Sequence, residues 1–84
     1  MLTRKPRPGT MVTWSEKARN DGDFVCYGEG PFRIRDVQAH PRRATFSCSL
    51  EKDGELLVNL QKDGTPWSGK PQVAYFNRQW LDLA

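Results

Sequence analysis

Few side chains in this sequence have the type and spacing for covalent or acid–base chemistry. Cys26 and Cys48 are the only thiols, and they lie far apart with no CxxC pair. A zinc site would have to gather Cys26, Cys48, His40 and a fourth ligand from scattered positions, whereas metal sites usually carry close ligand pairs. The alternatives are two reduced, half-buried thiols or a disulfide. His40 is the only histidine, and Ala39-His40-Pro41-Arg42 reads as a turn, where a histidine is ordinarily solvated. Carboxylate pairs occur at Asp21/Asp23 and Asp53/Glu55, both at turn signals where acids cap backbone donors or stay solvated. General acid–base catalysis needs a pocket that shifts pKa values, and 84 residues leave little volume for one. There is no P-loop signature and no GxGxxG. The expectation is a non-enzyme, without metal or cofactor, that works by binding.

Two surfaces are candidates. The first is basic. Arg33, Arg35, His40, Arg42 and Arg43 cluster with only Asp36 against them, and Arg4, Lys5 and Arg7 lie near the N-terminus. Together they could form a stripe that neutralises nucleic-acid phosphates. The competing reading is an ordinary charged strand face, which also discourages edge-to-edge aggregation. The second surface is aromatic. Trp67 and Tyr27 are the rings expected to be exposed in loops, while Trp80 is expected to pack under a closing turn. Loop rings can stack bases, enclose a methylated cation or grip a proline-rich peptide. Asp21, Asp23 and Glu29 beside Tyr27 would suit a protein or peptide partner. Alternatively, Trp67 covers an outward Leu57. The leading expectation is nucleic acid, bound by Arg4, Lys5, Arg7, Arg33, Arg35, Arg42, Arg43 and Trp67. The rival is a protein partner bound by Asp21, Asp23, Tyr27, Glu29 and Trp67. Convergence of the arginines on one acid-free face would discriminate between them.

The elements that must position these residues are strands. Apolar residues do not recur at helical spacing over any long window, and seven Gly and six Pro punctuate the chain. No helix is expected. A first strand is predicted over Gly9–Ser15 and a long loop over Glu16–Gly30, with Gly28-Glu29-Gly30-Pro31 as a sharp stop. In Phe32–Gln38, Phe32 and Ile34 alternate with Arg33 and Arg35, and a β-bulge near Arg35-Asp36 would bring Val37 into phase. Ala44–Glu51 has the cleanest alternation, with Phe46, Cys48 and Leu50 inward and Thr45, Ser47 and Ser49 outward. Asp53-Gly54 is a two-residue hairpin turn. Glu55–Gln61 follows, with Leu56, Val58 and Leu60 inward and Leu57 outward. Lys62-Asp63-Gly64 repeats the preceding Lys-Asp-Gly triplet and reads as a second meander turn. A loop over Thr65–Pro71, a short strand over Gln72–Phe76, a tight turn over Asn77–Trp80 and a last strand over Leu81–Leu83 complete the chain.

Five or six short antiparallel strands with one long loop and a tight turn before the last strand predict an all-β fold, a small closed SH3-like barrel. An OB-like barrel is the alternative. It usually has a helix between its third and fourth strands, where this chain has Asp53-Gly54. Gly30-Pro31-Phe32-Arg33-Ile34, the Leu-rich Asp-Gly hairpin and Phe76-Asn77-Arg78-Gln79-Trp80-Leu81 resemble the small C-terminal SH3-like barrels of retroelement integrases. Those barrels carry a Gly-Pro-Phe strand start and a Phe-(Asn/His)-x-x-(aromatic or Leu)-Leu closing turn. Tudor-like and ribosomal KOW-type modules share the outline. The resemblance covers roughly residues 9–83 and implies the barrel fold; integrase barrels are the more basic.

Charge divides the chain unevenly. The net charge is +3, and Arg4, Lys5 and Arg7 supply the excess, since the other ten Lys and Arg offset the ten Asp and Glu. The expected organisation is a basic, flexible N-terminal tail over 1–8 and a formally neutral barrel over 9–84. No apolar run approaches the roughly 18–20 residues of a membrane helix, and the basic N-terminus has no apolar stretch after it. A cytoplasmic protein with no membrane partner is expected.

Overall fold

Alternation is strictest in the third strand, and the sheet grows outward from it. In the computed structural model, which describes residues 1–67 and 71–84, β3 spans Phe46–Lys52. It buries Phe46, Cys48 and Leu50, as the pattern predicts. It pairs antiparallel with β2, Phe32–Ala39. The register slips between Ile34 and Asp36, which is the bulge expected there, and Val37 packs against the core beyond it. Ser49, expected to face out, is fully buried. Its Oγ accepts a hydrogen bond from the Asp36 N–H at 3.0 Å. A bulge disrupts its ladder, and the Ser49 hydroxyl supplies an acceptor to a donor beside it.

The neighbours of this hairpin follow from turn chemistry. Asp53 and Gly54 both adopt positive φ, 53° and 80°, as a tight hairpin turn demands. They return the chain into β4, Glu55–Leu56. On the other side of β2 lies β1, Met11–Trp14, and β1 also pairs with β6, Leu81–Leu83. The remaining strand, β5 at Phe76–Asn77, pairs with the start of β3. The protein is thus a small all-β domain with one antiparallel sheet of six strands in the order β4-β3-β2-β1-β6, β5 also lying on β3. The closed barrel expected from the strand pattern is not formed. Among the described residues no ladder joins β6 to β4 or β5, so hydrogen bonding leaves a seam. A short 3-10 turn over Arg78–Trp80, capped by the Asn77 side chain, links β5 to β6.

Between β4 and β5 the chain leaves the edge of β3 and comes back. Leu57 N donates to Leu50 O and Ala74 N donates to Leu57 O. Val58–Val73 and Leu60–Pro66 are bridged. The second Asp-Gly turn closes part of this excursion. Asp63 accepts from the backbone and hydroxyl of Thr65, and these bonds hold its carboxyl below the usual value. The expected phase of this segment is corrected. All four of Leu56, Leu57, Val58 and Leu60 are half-buried, and of these it is Leu57, expected to face out, that packs against the core cluster. The strand breaks after two residues, so a strict two-residue period no longer applies. Of the expected 65–71 loop, residues 68–70 lie outside the described residues.

Two further expectations change. The long loop contains a helix, α1 at Glu16–Asp21, and a 3-10 turn at Val25–Tyr27. Ser15 caps α1 by accepting from Ala18 N, and Gly22 ends it in the left-handed conformation. Capping at both ends and burial of Ala18 stabilise a helix too short to show a periodic apolar face. The segment expected as a free tail is seated at its start. Leu2 is 4% exposed and belongs to the core cluster. Leu2 N donates to Arg78 O, and the amino terminus pairs with Asp82. No described helix is long and apolar enough to cross a membrane.

Candidate nucleic-acid interface

The first ten residues cross the molecule between two anchors. Leu2 is held at Arg78, and Gly9 N donates to Ile34 O at 2.7 Å. This path carries Lys5 to the far end of β2. There Thr3, Lys5, Ala39, His40, Arg43, Thr45, Phe46 and Arg78 share a cleft of about 300 Å³, lined also by Ala44. Three of its lining side chains, Lys5, Arg43 and Arg78, are basic and none is an acid. None of the three makes an ion pair among the described residues. Arg78 is aimed by its bond to Leu2 O at 3.3 Å. Arg4, Arg7, Arg35 and Arg42 are exposed.

A second cleft of about 250 Å³ shares Ala39, His40 and Thr45 with the first. Gln38, Pro41, Ser47, Tyr75 and Asn77 complete it. Tyr75 is 45% exposed. His40 is held by its Nδ1, which accepts from Arg42 N at 3.2 Å, and Asn77 donates to Thr45 Oγ1 at 3.0 Å.

The arginines singled out from the sequence therefore do not converge as one group. Arg33 sits at the opposite end of β2, 3.6 Å from Glu51, in a cleft with Glu51, Lys52 and Asp53. Arg43 and Lys5 are brought together. Trp67 is 59% exposed but lines none of these clefts. His40, Arg78 and Tyr75 complete the basic end. His40 and Arg78 carry the right chemistry in the sequence, but only the fold draws positions 5, 40, 43, 75 and 78 together.

The residues expected to meet a protein partner have different fates. Tyr27 turns inward: its ring lies 5.1 Å from Phe76 and 6.0 Å from Trp14. Its hydroxyl accepts from Leu60 N at 3.1 Å, and burial raises its pKa. Asp21, Asp23 and Glu29 are exposed. The neighbouring Asp23 carboxylate accepts a hydrogen bond that only protonated Asp21 can donate, which raises the Asp21 pKa. Asp23 also meets Lys62, and Glu29 meets Arg19, each at 3.6 Å. Trp14, Ala18, Arg19, Phe24, Val25, Gly28 and Glu29 line a pocket of about 220 Å³. Both thiols are free. Cys48 is buried, and burial pushes its pKa up to about 11.

With the geometry defined, comparison with known proteins adds nothing to it: no family model, no curated protein and no solved structure matches the chain.

Proposed function

We propose that this protein is a non-catalytic binding module that contacts nucleic acid through the basic end of its sheet. The observation that carries the proposal is the acid-free cleft holding Lys5, Arg43 and Arg78. Unpaired cations in a concave, partly apolar site attract phosphates more strongly than cations on an open surface. Arg4, Arg7, Arg35 and Arg42 would extend the contact. An SH3-like barrel is the fold proposed, supported by the long loop after β1 and by the 3-10 turn that sends β6 back to β1. A binding role is favoured over catalysis because the raised carboxyl of Asp21 is exposed and lies outside the described clefts. The cytoplasm is the proposed compartment, consistent with two unpaired thiols.

One observation favours a second reading, a protein-interaction module. Val25 is 77% exposed at the rim of the pocket under α1, with Arg19 and Glu29 beside it. The test is an NMR titration of the labelled protein with short single- and double-stranded DNA and RNA at low and moderate salt. Shifts at Lys5, His40, Arg43 and Arg78 that fade with salt are the expected result. Absence of shifts at low salt, where phosphate contacts are strongest, would overturn the nucleic-acid reading and leave the Val25 pocket as the surface to pursue.

A further inference from the structure

Both clefts at the basic end share a wall, and their chemistry differs on its two sides. The Lys5–Arg43–Arg78 side offers only cations and neutral groups. The Gln38–Tyr75 side offers a half-exposed aromatic ring, an imidazole, a carboxamide and a hydroxyl. Ala39, His40 and Thr45 form the boundary. The phosphate and the base of a nucleotide, joined through the sugar, differ in the same way. We infer that this pair of clefts binds an unpaired nucleotide, with its phosphate among Lys5, Arg43 and Arg78 and its base against Tyr75.

This assignment rests on the nucleic-acid reading and narrows it to single strands. A base inside a duplex has both faces stacked and cannot meet a protein ring, whereas an unpaired base can. The Tyr75 cleft, about 250 Å³, is smaller than the roughly 300–1,000 Å³ of drug-sized pockets and suits a single flat ring system. Its polar groups can read a base edge. Gln38 is exposed and has both a donor and an acceptor. With Nδ1 of His40 accepting from Arg42 N, Nε2 is the donor nitrogen of the neutral ring. The Asn77 amide is already engaged with Thr45 and Gln79, so it frames the cleft without reading the base. Tyr75 is 45% exposed and, among the described residues, makes none of the ring contacts of the core cluster, so a face of its ring is open to a base.

The experiment is fluorescence polarisation with labelled oligothymidylate, oligouridylate and a hairpin duplex of matched length, each across a salt series. The oligothymidylate is also made as an abasic strand. The expected order is single strand over both duplex and abasic strand. Y75A should weaken single-strand binding about 5- to 100-fold without changing its salt slope, because a ring releases no counterions. Y75F should retain affinity. K5A should flatten the slope by about 0.7, the value per phosphate on single strands. Single-strand binding that ignores both Y75A and base removal, or a duplex that binds as well as the single strand, would overturn this inference and leave the nucleic-acid reading standing. No binding of any probe at low salt would overturn both. Circular dichroism of Y75A checks that the fold survives.

Discussion

At the long-loop end of β2, Trp14 lies within 6.0 Å of Phe24, Tyr27, Phe32 and Phe76. Its Nε1 donates to Gly28 O, and the nearby charges are matched as Arg19–Glu29 and Asp23–Lys62. At the opposite end of β2, Lys5, Arg43 and Arg78 have no acidic partner among the described residues, and no described ring lies against Tyr75. The two ends contain similar residue types. In one, rings and charges satisfy each other and hold the loop on the sheet. In the other, Lys5, Arg43 and Tyr75 are exposed, and among the described residues the Arg78 side chain is held only by the Leu2 carbonyl. Aromatic content marks a binding surface only where the rings are not already consumed by packing.

The sharpest way to break this contrast is W14A. Loss of a buried Trp costs about 3–5 kcal/mol, and in an 84-residue chain that is a large share of total stability. Urea denaturation should show a marked fall in midpoint; a small change would mean that the ring cluster does not hold the loop. S49A comes next. It leaves the Asp36 N–H without its acceptor and should cost about 1–3 kcal/mol, read in the same way. Unchanged stability would show that the bulge finds another partner.

A third test compares wild type with C48A across alkaline pH. The folded thiol titrates near 11, against 9.0 for the free group, so above pH 9 the unfolded chain loses its proton first. Wild-type stability should therefore fall from pH 9 to 11. Its advantage over C48A should narrow on the order of 1 kcal/mol. A constant difference would argue against a thiol kept protonated by burial. The smallest expected effect on stability belongs to the other end. R43A and K5A should each stay within about 0.5 kcal/mol of wild type while weakening oligonucleotide binding. Equal losses of stability and binding would erase the distinction between the two ends.

What was legible in the sequence was what depends on near neighbours. The period of Phe46, Cys48 and Leu50, the Asp53-Gly54 turn, the bulge before Val37 and the turn after Asn77 all rest on local rules. What was hidden depended on distant partners. Ser49 reads as an outward residue until Asp36 is placed opposite it. Leu2 lies among polar and basic residues and reaches the core only because Arg78 receives its backbone. Helix α1 has legible caps in Ser15 and Gly22, but six residues cannot display a helical period. Lys5, Arg43, Arg78 and Tyr75 look unrelated along the chain because their cleft combines the N-terminal segment, the end of β2 and the approach to β6.

The departure between β4 and β5 bears on how this domain can vary. The chain leaves β3 at Leu57 and rejoins it after Ala74, and these two residues are hydrogen-bonded to each other. The sheet therefore registers only where the excursion begins and ends, not its length. Closing a longer flexible loop costs only about 0.6 kcal/mol for each doubling. The exposed turn at 62–64, beyond the Leu60–Pro66 bridge, is a place where residues can be inserted, deleted or exchanged, or another domain grafted, while the rest of the sheet keeps its register.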